Sequence, residues 1–111
     1  RTSVDIVIDS SGVDINLSNA SKLKRQGIKK YICTNSPAKE KVDKTIIMGV
    51  NEKTINLDND FKIAASICDA NAFVPVTNLL ENNYGIEHGF LTTLHPWLGY
   101  QNFRPMVHYF F

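Results

Sequence analysis

The stretch "VDIVIDSSG", Val4 to Gly12, decides the fold. It is a nearly continuous run of β-branched side chains that ends in small turn-forming residues. Such a run marks a strand buried on both faces, as strands of parallel sheets are. "NLSNASKLKRQG", Asn16 to Gly27, follows with a helical pattern, a capping-type residue near its start and Gly27 as a stop. "IKKYICTNSP" supplies a second strand over Lys29 to Thr34, closed by Pro37. A charged link, Ala38 to Asp43, leads to "KTIIMGVN", read as a third buried strand. Strand, helix, strand, strand in that order predicts an α/β fold with a parallel sheet.

Further along, "NEKTINLDND" (Asn51 to Asp60) reads as a polar loop and "FKIAAS" as a short strand. From Cys68 or Asp69 to about Asn83 the pattern is helical, with Ala72, Val76, Leu79 and Leu80 able to share a face. Pro75 falls in the second turn, where it can be tolerated near a helix start. "YGIEHGFLTTLHPW" is expected to be a strand with bulge-prone glycines. The tail, "FRPMVHYFF", is aromatic, and exposed it would form an apolar patch in need of a partner. There is no internal repeat and no low-complexity tract.

At 111 residues the length is that of one domain, and the formal charge of +1 gives no sign of nucleic acid or an acidic membrane face. Basic residues gather in Lys22-Leu23-Lys24-Arg25 and at Lys29 and Lys30, around a helix end, where cations complement the helix dipole. No apolar run is long enough to span a bilayer, and no stretch reads as a signal peptide. Cys33 and Cys68 lie far apart without metal-type spacing, which suits reduced thiols of a cytoplasmic protein and predicts no metal site.

Cys68 sits in "SICDANAFVPV", where a strand passes into a helix. Backbone N–H groups and the dipole at a helix N-terminus favour a thiolate. A histidine within reach would pair with it and move its proton. His95 ends the segment that follows the helix, so chain reversal can bring it back to the helix start. Taken alone, a cysteine or a histidine in such a place is more often structural than reactive. Cys33, inside a strand, reads as an inert core thiol, and His88 and His108 as surface or packing residues.

The segments "VDIVIDSSGV", "IKKYICTNSPAKE", "IIMGVNEK", "CDANAFVPVTNLLENNYGI" and "GFLTTLH" resemble, in order, segments of the phosphorylating glyceraldehyde-3-phosphate dehydrogenase family. The family pattern C-T-T-N-x-x-x-P meets Cys68, Asn71 and Pro75 here. Its T-T-[VIL]-H meets Thr92 to His95, at the family's Cys-to-His interval of 27 residues. The resemblance runs to about Gln101. It implies a partial Rossmann-type parallel sheet, followed by the catalytic cysteine helix and the first strand of a catalytic domain. Residues 1–66 would be the C-terminal part of a Rossmann NAD(P)-binding domain, and 67–111 the start of the catalytic domain.

The chemistry implied is oxidation of an aldehyde. Cys68 would attack it to give a thiohemiacetal, His95 would take the proton as base, and hydride would pass to NAD or NADP. By the same resemblance Ser10, Ser11 and Gly12 occupy the family's E-S-T-G turn beside the dinucleotide, and Asn35 stands near the nicotinamide. Asn71 belongs with the substrate site.

Departures from the pattern are equally informative. A serine and a threonine that flank the family's cysteine are Ile67 and Asp69 here. The two threonines of H-x-x-T-x-T are Leu98 and Tyr100. Four hydroxyls that would hold phosphate are gone, and Asp69 would repel a dianion. The expected substrate is therefore an aldehyde other than glyceraldehyde 3-phosphate, with water or another acceptor possible in place of phosphate. The family's Gly-rich loop and ribose-binding carboxylate precede residue 1 in family order, so the chain reads as the middle of an enzyme. The enzyme expected is a dehydrogenase that forms a homo-oligomer or associates with the rest of the enzyme, while the 111 residues alone are expected to be inactive. The other reading is a non-catalytic binding or assembly module.

Overall fold

The computed structural model of the protein describes residues 4–94. Their elements are β1 (Ile6–Asp9), α1 (Asp14–Arg25), β2 (Lys30–Cys33), β3 (Lys44–Thr45), β4 (Lys62–Ala64) and α2 (Cys68–Tyr84), with short 3-10 turns at Lys39–Lys41 and Glu52–Thr54. The four strands form one sheet in the order β1-β2-β4-β3, and every pairing is parallel. Ile8 pairs with Ile32, which pairs with Ile63; Asp9 pairs with Cys33, which pairs with Ala64. This is the parallel α/β sheet expected from the order of elements, and the partial Rossmann-type arrangement that the family resemblance implies.

α1 crosses from β1 to β2. Asp14 opens it and Lys22, Lys24 and Arg25 close it, so charge at both ends opposes the macrodipole. Its end is a glycine turn: Gly27, at φ +97, donates its N–H to the Lys24 carbonyl at 3.1 Å. The expected N-terminal cap is absent. Val13 holds the cap position with no side-chain hydrogen bond, and Asn16, already inside the helix, turns its amide to the Ser11 hydroxyl at 3.0 Å.

The core lies between α1 and one face of the sheet. Leu17 and Ala20 pack with Tyr31, Cys33, Phe61 and Ala64, and Val7, Leu23, Ile28 and Val42 close its margin. Full burial of a side chain such as Leu17 contributes about 1.5–3 kcal/mol. β4 is seated beside β3 by the Asp43 carboxylate, which accepts the N–H groups of Phe61 at 2.9 Å and Lys62 at 2.7 Å. The Lys30 ammonium donates to the carbonyls of Leu57 and Asp60 and so ties down the loop before β4.

Three expectations need correction. β1 is an edge strand of the described sheet and is not buried on both faces: Ile8 is 66% exposed and Ile6 52%. The exposure is confined to the β1 edge of that face, since Ile63, in register with Ile8 through Ile32, is buried. The third strand is only two residues long. Asn51 draws the chain out of it, accepting the Ile47 N–H at 2.8 Å and donating to the Thr45 carbonyl at 3.1 Å. Finally, residues 85–94 carry no strand. A strand needs a neighbour for its ladder, and the described sheet ends at β1 and β3. The tail lies outside the described residues.

α2 begins at Cys68 as expected and runs through Pro75 to Tyr84, ending at Gly85 with φ 73. None of its residues is buried, and Val76, Leu79 and Leu80 are exposed.

Candidate functional site

In a parallel α/β sheet the loops at the carboxyl ends of the strands converge on one edge, where ligands bind. Here the turns after β1, β2 and β4 meet there. Ser11 and Gly12 come from the first, Thr34, Asn35 and Ser36 from the second, and Ser66, Ile67 and Cys68 from the third. Together they line a cleft of about 810 Å³. Its side chains are four hydroxyls, one amide, the Cys68 thiol and the apolar Ile67.

Asp9 builds the first turn. Its carboxylate accepts the Ser11 N–H at 2.8 Å and the Ser11 hydroxyl at 2.6 Å, and the Tyr31 hydroxyl as well. The Ser11 bond first, then that from Tyr31, holds the Asp9 carboxyl down at about 2. Ser11 Oγ in turn accepts from Asn16 and, at 3.2 Å, from the Val13 N–H. The Ser11 hydroxyl is thereby committed to its own turn, and the backbone is what this turn offers the cleft. Gly12 has φ +68, and a Cβ there would meet nothing within 4 Å. Burial first, with the charge of Asp9 adding to it, pushes the Cys33 thiol up. Cys33 sits fully inside the sheet, with its Sγ 3.6 Å from the Ile63 carbonyl.

Cys68 is exposed at the first position of α2. Its Sγ lies 3.8 Å from Asp69 Oδ1. Two residues earlier, Ser66 is buried and has φ 65, the one residue other than glycine with positive φ among those described. Asn71 spans this turn: its side-chain amide donates to the carbonyls of Ala65 and Ile67, both at 2.9 Å.

The structure thus gathers Ser11, Gly12, Asn35 and Cys68 on one cleft and sets Asp69 beside the thiol. Ser10 is not among the lining residues, and the Asn71 amide is engaged with the backbone. His95, Leu98 and Tyr100 lie outside the described residues. Thr34, Ser36 and Ser66 were missed by sequence reasoning. For the first two a signal existed, since "TNSP" ends a strand as "DSSG" does; the left-handed turn at Ser66 left none. Among the described residues no group of three or more His, Cys, Asp or Glu could hold a metal, and no helix is long and apolar enough to cross a membrane.

This is a Rossmann-type α/β segment with a cysteine helix leaving the carboxyl edge of its sheet. No protein-family model matches the chain. Curated relatives do. It is 35% identical over 105 residues to glyceraldehyde-3-phosphate dehydrogenase of Mycoplasma pneumoniae, covering 95% of this chain and 31% of the relative. With the enzyme of the same name from Chlamydia muridarum it shares 38% over 92 residues, 83% of this chain and 27% of the relative. The figures for that of Zymomonas mobilis are 34% over 108 residues, 97% and 32%. The chain spans about a third of the length of the curated relatives it matches. Over that span it belongs to the glyceraldehyde-3-phosphate dehydrogenase family.

Proposed function

We propose that the protein is, or forms part of, an NAD(P)-dependent aldehyde dehydrogenase in which Cys68 is the nucleophile and His95 the base. One observation carries this reading: an exposed cysteine stands at a helix start on the cleft where the carboxyl ends of parallel strands converge. Cys68 Sγ attacks the aldehyde carbon, and the proton passes to His95. A nicotinamide cofactor, when bound, accepts the hydride, leaving a thioester on Cys68 for an acceptor to cleave. The lining residues fit its nicotinamide end, being neutral donors and acceptors with an apolar Ile67 and no carboxylate among them. Gly12, through its open backbone, and Asn35 would hold it. Residues 1–66 serve as the dinucleotide side and 67–111 as the start of the catalytic side.

Asp69 bears on the substrate. At 4 Å in water a like charge costs about 1 kcal/mol per unit, and more in a shielded cleft. A carboxylate 3.8 Å from the nucleophile therefore disfavours a phosphorylated aldehyde. We read the substrate as an aldehyde with an uncharged tail and the protein as cytoplasmic. The exposed apolar residues of α2 (Val76, Leu79 and Leu80) support association with another copy or with the remainder of an enzyme. The same faces favour a second reading, a non-catalytic assembly module.

The test is cofactor reduction by the whole protein that carries this segment, assayed with glyceraldehyde 3-phosphate and with an uncharged aldehyde of similar size. The uncharged aldehyde should be preferred by tenfold or more, and Asp69→Thr should narrow that preference. Preference for the phosphorylated aldehyde would refute the substrate reading. Absence of turnover with every aldehyde, and of an acyl adduct on Cys68, would favour the assembly module.

A further inference from the structure

Between β4 and α2 the chain turns through Ser66, whose φ of 65 lies in the left-handed region that residues with a Cβ enter at a cost. Ser66 is also buried, so the turn cannot relax outward freely. Two residues later the helix starts at Cys68. Ile67, at its cap position, is extended at φ −108 and ψ 162 and offers no side-chain cap. Nothing in the usual repertoire of helix caps therefore fixes where this helix begins.

Asn71 supplies what is missing. Its side-chain amide reaches back out of the first turn and donates to Ala65 O and Ile67 O, the carbonyls before and after Ser66. Its own backbone N–H also donates to Ile67 O at 2.9 Å, closing the first helical turn. One residue thus bridges the left-handed position and starts the helix. The far side of the turn is anchored too, because the Ala65 N–H donates to the Cys33 carbonyl at 2.9 Å. An asparagine in a helix interior is a poor helix former; here its amide is spent on holding a turn.

We propose that Asn71 is a positioning residue that clasps the left-handed turn at Ser66 and so presents Cys68 to the cleft. The proposal rests on the reading of Cys68 as nucleophile. Loss of the clasp frees Ser66 to return to a favoured φ, and Cys68, two residues on, then loses its fixed place on the cleft. Glycine at position 66 tolerates positive φ without a clasp, so Ser66→Gly should make Asn71 largely dispensable.

The experiment is a double-mutant cycle on the full chain, with iodoacetamide alkylation of each cysteine followed by mass spectrometry. Asn71→Ala should slow Cys68 alkylation about tenfold, the weight of one or two net hydrogen bonds, while Cys33 stays protected. In the Ser66→Gly background the same change should slow it threefold or less. An unchanged Cys68 rate, or equal slowing in both backgrounds, overturns the proposal. So does release of Cys33 by Asn71→Ala, which would assign Asn71 to general stability. If Cys68 of the parent chain reacts no faster than in the urea-unfolded chain, the nucleophile reading fails and the proposal with it; the other adverse outcomes remove the proposal alone.

Discussion

Asp9 ends β1 and starts the turn that carries Gly12 to the cleft, and its carboxylate is useful only while ionised. Protonation would weaken the bonds it accepts from Ser11 and Tyr31. The folded carboxyl titrates at about 2 against an ordinary 3.8, so the unfolded chain binds the proton first. Its stabilisation is therefore complete above about pH 4 and is lost as pH falls from there toward 2. Because the group is partly solvated, that contribution is about 1 kcal/mol. Asp9→Asn should remove it at pH 7 and flatten the decline of the urea midpoint between pH 4 and 2. An acid limb identical in the two proteins would show that Asp9 does not hold this turn. Residues of this kind were only partly legible. Cys68 announced itself by its place at the start of a helical pattern, and Asn71 only through the family resemblance. The second half of Asp9's work could not, because Tyr31 reaches it only once β1 and β2 are paired in register.

The elements were easier to read than their lengths. α1 followed from Gly27 and α2 from apolar spacing, and β1 from a β-branched run, whereas Gly85, expected inside a strand, ends α2. "KTIIMGVN" has the same composition as a buried strand, yet only Lys44–Thr45 joins the ladder. Its apolar residues divide, with Ile46 buried and Met48 exposed, because the Asn51 side chain takes over the backbone groups of Thr45 and Ile47. A polar residue six positions from its partner overrides a propensity, and a scan for apolar runs does not see it. α1 covers one face of the described sheet, while the β1 edge of the other face is exposed, a difference that two substitutions compare directly. Leu17→Ala, under α1, should cost about 2–4 kcal/mol in urea unfolding. Ile8→Ala, at the exposed β1 edge, should cost within about 0.5 kcal/mol. Comparable losses at the two positions would mean that something covers the Ile8 face.

At the scale of the whole molecule, two apolar surfaces are exposed among the described residues: the Ile6 and Ile8 edge of the sheet and the flank of α2. A parallel sheet ordinarily has both faces covered. Curated relatives about three times as long as this chain fit that picture. Sequence made the cysteine helix and the parallel sheet legible together because both depend on local patterns. The strand expected before His95 depended on a distant partner, and the described residues supply none. The central claim, that Cys68 and His95 act as a pair, is likewise a claim about long-range assembly. It requires the segment after α2 to return to the helix start. The most direct measurement is the alkylation rate of each cysteine at neutral pH in the protein and in its His95→Ala variant. Cys33, buried and with its thiol pushed up, is the internal reference. The account predicts that Cys68 reacts at least a hundredfold faster than Cys33, on the order expected of an exposed nucleophile beside a buried thiol, and that the variant loses about tenfold of that advantage. Equal rates at the two cysteines, or a Cys68 rate indifferent to His95, would contradict it.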